Sequence, residues 1–159
     1  MSWAFTKRLV FILLTSVFSV GAQTTHAQAV DNTGTITIHV TGFESDKGVA
    51  RMAMFQGDKG FPDDVHHAYW KGVYDIHNRT VKAQIPDVKY GTYAVSVHHD
   101  ANSNGKLDKL FRFIPKEGFG SSNNNRDEKQ GPTYDQSSFE VNSDSTIITI
   151  EIEYLFGKK

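Results

Sequence analysis

Gly91-Thr92-Tyr93-Ala94-Val95-Ser96-Val97-His98-His99-Asp100 decides the fold, because Tyr93, Val95 and Val97 recur at every second position with small or polar residues between them. That period of two belongs to a strand with one face in a core. Continued past Val97, the phase turns His99 toward the core and His98 away from it. The same alternation returns at Ile36, Ile38 and Val40, at Val81, Ala83 and Ile85, and at Ile148, Ile150, Ile152 and Tyr154. Val49 to Phe55 is apolar enough for a central strand, and Trp70 to Ile76 and Ser138 to Val141 are further strand candidates.

About seven strands separated by turn signals predict an all-β, single-domain β-sandwich of immunoglobulin-like or prealbumin-like type, with one long ordered loop. Asp46-Lys47-Gly48 and Pro86-Asp87-Val88-Lys89-Tyr90-Gly91 read as turns between strands. Gln56 to Ala68 reads as a loop with one helical turn after Pro62. The stretch from Asp100 to Gln136 exceeds the usual connection between strands. Leu110, Phe111, Phe113, Ile114 and Phe119 are apolar enough to pack it over one end of the sandwich, whereas Ser121 to Gln130 is polar and predicted to be mobile.

Lys7 and Arg8 precede an apolar run from Leu9 to Val20, the pattern of an export signal too short for a membrane span. Cleavage at Ala27-Gln28-Ala29 predicts a signal peptide over 1–29 and a domain over 30–159 with its core in 34–154; a second possible cut follows Ala22. The expectation is a protein exported to the periplasm or beyond the cell, with no membrane span once the leader is gone. The chain has no cysteine, which excludes disulfides and a lipid-bearing cysteine. A net charge of −1 without a basic block argues against nucleic acid as a partner.

Downstream of the deciding strand lies Asp100-Ala101-Asn102-Ser103-Asn104-Gly105-Lys106-Leu107-Asp108. Side-chain oxygens at alternate positions around a glycine are the front half of a calcium loop, since successive side chains converge on the inside of the curve. Asp100, Asn102 and Asn104 take the first, third and fifth positions, the Lys106 carbonyl the seventh and Asp108 the ninth. The twelfth position, where a bidentate Glu would close the site, is Phe111, so Glu117 is the carboxylate expected to complete it. Such a site holds calcium weakly, at roughly submillimolar to millimolar levels. The competing reading is an ion-free turn in which Asp and Asn bond to their own backbone.

Gly91-Thr92-Tyr93-Ala94-Val95, then His99-Asp100-x-Asn102-x-Asn104-Gly105-x-x-Asp108, then Ile114-Pro115-Lys116-Glu117-Gly118-Phe119-Gly120-x-Ser122-Asn123 resembles the bacterial family defined by domain of unknown function 2141, over Gly34 to Tyr154. The resemblance implies export and an immunoglobulin-like or prealbumin-like sandwich, and it brings no activity with it. It also places the loop and the Glu117 block in one family. Lys109-Leu110-Phe111-Arg112-Phe113 departs from the pattern in being bulkier and more basic.

No nucleophile motif is present, and Asp63-Asp64 and Glu151 with Glu153 read as solvated charge. Adjacent His98 and His99 point to opposite faces, which disfavours a shared transition metal, and His66-His67 reads as solvated. Tyr69, Trp70, Tyr74, Tyr90 and Tyr93 are expected to be core before they are a ligand groove. The functional expectation is an exported, non-enzymatic binding or structural module of the cell envelope with a calcium loop at 100–108, its partner an unknown protein or small ligand. The alternatives are a metal-free structural domain and a His/Asp transition-metal protein or enzyme.

Overall fold

The computed structural model describes residues 32–110, 114–125 and 131–155. Contacts divide the chain into two units, Met1–Val30 and Asp31–Lys159, and the described residues belong to the second. The signal-peptide expectation and those for Phe111, Phe113 and 126–130 lie outside the described residues.

In chain order the strands are β1 (Thr33–Thr41), β2 (Val49–Phe55), β3 (Trp70–Asp75), β4 (Val81–Lys89), β5 (Gly91–Asp100), β6 (Lys109–Leu110), β7 (Ile114–Pro115), β8 (Phe119–Ser121), β9 (Phe139–Val141) and β10 (Ser145–Glu151), with one helical turn, α1 (Tyr134–Ser137), before β9. The protein is all-β and sandwich-like. One sheet has the order β10-β1-β4, with β10 parallel to β1; the other has the order β3-β2-β5-β8, with β9 also on β5. β6 and β7 form a separate two-residue ladder.

The alternation read from the sequence is the alternation of burial. Ile36, Ile38, Val40, Tyr93, Val95 and Ile150 are completely buried, and Val81, Ala83, Ile85 and Val97 nearly so. Each such aliphatic side chain contributes about 1.5–3 kcal/mol on leaving water. β2 is central, as its composition predicts, and its outward Ala53 and Phe55 are buried too. Their cover is the 56–68 segment: the Phe61 ring meets the Phe55 ring edge-on at 5.5 Å, and Ser96 Oγ donates to the Pro62 carbonyl at 2.6 Å. This segment is a series of turns without a helix. It covers one end of the outer face of β5 and leaves the other end to the Asp100 loop.

Two further expectations are corrected. Pro86 to Lys89 is strand: β4 continues to Lys89, and Pro86 and Asp87 form a bulge where the register to β1 shifts between Gly34 and Ile36. Proline has no N–H for the ladder and is tolerated at a bulge. The long excursion also contains a strand, β8, that joins the sheet beside β5. At the start of β8, Phe119 exchanges both backbone hydrogen bonds with Glu153, just past β10, at 3.0 and 2.9 Å, and this ties the two sheets at one corner. Gly118 and Gly120 permit this approach: a Cβ at Gly118 would lie 2.4 Å from the Tyr154 ring, and one at Gly120 2.8 Å from the Glu151 carbonyl.

Candidate functional site

β5 ends by distributing three side chains over two faces. His99 is completely buried on the core side; His98 and Asp100 lie on the outer face, where β2 supplies Arg51 opposite His98. The chain then folds back over Arg51, with Ser103 and Gly105 at positive φ (57° and 78°) making the reversal.

Asp100 is the anchor. Its Oδ1 accepts the Asn104 N–H at 3.0 Å, and its Oδ2 accepts the Gly105 N–H at 2.8 Å and Arg51 Nε at 2.5 Å. Burial pushes the Asp100 carboxyl up, but the Arg51 hydrogen bond and the two amides outweigh it and hold the group below the ordinary carboxylate value. The asparagines complete the turn in the manner of Asx turns. Asn102 Oδ1 accepts the Asn104 N–H at 3.0 Å, and Asn104 Oδ1 accepts the Lys106 N–H at 2.7 Å. Their amide nitrogens both donate to Asp108, Asn102 Nδ2 at 2.8 Å and Asn104 Nδ2 at 3.1 Å.

Glu117 arrives from the far side of the excursion and clasps both ends of the loop. Its Oε1 accepts the Ala101 N–H at 3.0 Å, and its Oε2 accepts the Asp108 N–H at 3.0 Å and meets His98 Nε2 at 2.9 Å. Asp100, Asn102, Asn104, Lys106, Asp108 and Glu117, the six residues singled out by sequence, thus belong to one turn and its clasp. They divide into two layers. Asp100 and Glu117 are buried and spent on backbone amides, Arg51 and His98, while residues 101–106 are exposed and Asp108 is half-buried beside them.

On the core side, His99 Nε2 donates to the Lys47 carbonyl at 2.8 Å, which leaves Nδ1 to accept from the Tyr154 hydroxyl at 2.6 Å. The same hydroxyl accepts the Glu44 N–H at 3.2 Å. Burial pushes the Tyr154 phenol up to about 12, against the Glu44 N–H, which lowers it, and with the Glu44 and Glu117 charges, which raise it. Both His99 nitrogens are therefore occupied within the protein. Among the described residues, no group of three or more His, Cys, Asp or Glu side chains is arranged to hold a metal. Sequence reasoning missed Arg51, whose signal was its isolation as the one charge in the apolar run Val49 to Phe55, and the pairing of His98 with Glu117.

The fold and site define a small all-β domain whose sheets are joined at a corner next to a clasped, Asx-rich turn. The family model described as an uncharacterised protein conserved in bacteria, domain of unknown function 2141, matches residues 38–149, and the chain belongs to that family. No curated protein and no solved structure matches the chain.

Proposed function

We propose that the chain is an exported, non-enzymatic binding or structural module of the bacterial cell envelope, in which the turn at 100–108 takes a weakly held calcium ion. The observation that carries the calcium reading is charge: three carboxylates, Asp100, Asp108 and Glu117, gather at one turn where Arg51 is the paired guanidinium. Asp100 and Glu117 accept backbone amides, Arg51 and His98, so in this reading they serve as scaffold and the ion would sit at the exposed rim, among the Asn102 and Asn104 carboxamide oxygens, the Lys106 carbonyl and Asp108. A carboxamide oxygen has two lone pairs, so each asparagine can keep its backbone N–H and still offer a ligand. The ion would replace the two amide N–H donors that now face Asp108.

The export reading is supported by the Lys7-Arg8 and Leu9–Val20 pattern. N-terminal sequencing of the protein recovered from the envelope or medium tests it, with Val30 or Gln23 as the expected first residue; a chain retaining Met1 inside the cell contradicts it. Limited proteolysis between 100 and 117 tests the loop: calcium is expected to slow cleavage there, and equal cleavage in chelator and in millimolar calcium contradicts the ion.

A second reading, an ion-free structural domain, is favoured by the fact that Asp100, Asp108 and Glu117 already accept hydrogen bonds from protein donors. Under it, Asp108→Asn leaves the response to calcium unchanged.

A further inference from the structure

β3 ends the second sheet, with β2 on one side and, among the described residues, no strand on the other. Open edges invite pairing with another chain, and proteins usually blunt them. The edge of β4 carries the bulge and Pro86. Along β10, the Asn124 side chain acts as a substitute strand, its Oδ1 accepting the Glu151 N–H at 2.8 Å and its Nδ2 reaching the Thr149 carbonyl at 3.5 Å. β3 has neither device. Its outward residues are Lys71, Val73 and Asp75; Val73 is 55% exposed, and neither charge makes an ion pair among the described residues.

We propose that β3 is the interface of a two-fold homodimer, in which it pairs antiparallel with β3 of a second copy about Val73. Residues directly opposite in an antiparallel pair share a face, so any register setting odd positions against even ones would turn the half-buried Trp70, Gly72 and Tyr74 side to solvent. Of the registers that remain, the one centred on Val73 places each Lys71 across from the second copy's Asp75 and Val73 against itself. Centred on Gly72 or Tyr74, both charge pairs and the valine contact are lost. The strand is thus self-complementary in charge, and two-fold symmetry makes each interaction twice. On the inner side the same register sets Gly72 opposite Tyr74, whose ring with that of Trp70 already covers Gly72 at 2.8 Å from where a Cβ would stand. The interface lies one strand away from the Asp100 turn: Val73 stands opposite Arg51 on β2, and Asp75 opposite Val49, which pairs with Asp100 on β5.

Sedimentation of the purified protein from about 1 µM to about 1 mM, a span that covers weak to moderate affinity, tests this. The expected result is a rise from one to two chain masses. Lys71→Asp or Asp75→Lys alone creates like-charge contacts in duplicate and is expected to weaken association by about tenfold or more, while the double reversal restores it. Val73→Lys, which sets two charges against each other on the axis, is expected to do the same as a single reversal. A single chain mass at every concentration overturns the proposal, as does a dimer indifferent to the single reversals.

Discussion

Arg51 Nε stands 2.5 Å from Asp100 Oδ2, joining residues 49 positions apart, and the carboxylate it meets is completely buried while the guanidinium is one-third exposed. The same carboxylate accepts two loop amides, so one ion pair fixes both the strand pairing of β2 with β5 and the start of the turn. Removing either partner leaves the other poorly satisfied. Arg51→Met, which strips the buried carboxylate of its cation, is expected to lower the unfolding free energy by about 3–5 kcal/mol, and Asp100→Asn by less, because the Arg51 side chain is one-third exposed and reaches water. Urea denaturation measures this, and the double variant is expected to cost less than the two single losses combined.

The pH dependence follows from the same carboxylate. Its folded pKa lies below the unfolded value of about 3.9, so the folded state binds the proton less readily than the unfolded chain. The stability it contributes is complete above that unfolded value and is lost as pH falls through the folded one. Stability measured between about pH 2 and pH 6 is expected to drop on the acid side, with a shallower drop in Asp100→Asn.

At the other end of the scale, Tyr154 and Tyr93 have phenols pushed up to about 12, chiefly by burial. A folded pKa raised above the unfolded value of about 10 gives stability that is whole below pH 10 and is lost as pH rises toward 12. Absorbance titration of the six tyrosines is expected to show the last ionisations coinciding with alkaline unfolding. Tyr154→Phe, which removes the bonds to His99 and Glu44, is expected to cost about 1–2 kcal/mol at neutral pH.

Gly118→Ala tests the corner. The added methyl would sit 2.4 Å from the Tyr154 ring and 2.5 Å from Ile152 Cγ2, so these side chains, or β8 itself, must move. A loss of about 1–3 kcal/mol in a thermal or urea melt is expected, the usual cost of overpacking.

The sandwich was legible because its strands carry the period of burial: Ile36, Ile38 and Val40, or Tyr93, Val95 and Val97, point inward in the phase read from the chain. β8 was not, since three residues containing Gly120 carry no period and its partner strand is fixed by tertiary contacts. Pro86 misled for a local reason, because a proline at a bulge has the same sequence signature as a proline in a turn. The turn itself was legible in its alternating Asp and Asn; Glu117 was singled out as a calcium ligand, and what the structure shows is its carboxylate accepting the Ala101 and Asp108 amides. Arg51 was hidden because it reaches Asp100 only through the register of β2 on β5, which no local pattern encodes.

The most direct test of the account is the melting temperature of the purified protein in chelator and in millimolar calcium, with Asp108→Asn in parallel. Asp108 is the carboxylate at the exposed rim, so its replacement spares the Asp100 and Glu117 scaffold. The account predicts a calcium-dependent rise in the parent, about 1.4 kcal/mol of stabilisation at ten times the dissociation constant, that is lost or much reduced in the variant. A parent that melts at the same temperature with and without calcium would contradict it and leave the loop an ion-free turn.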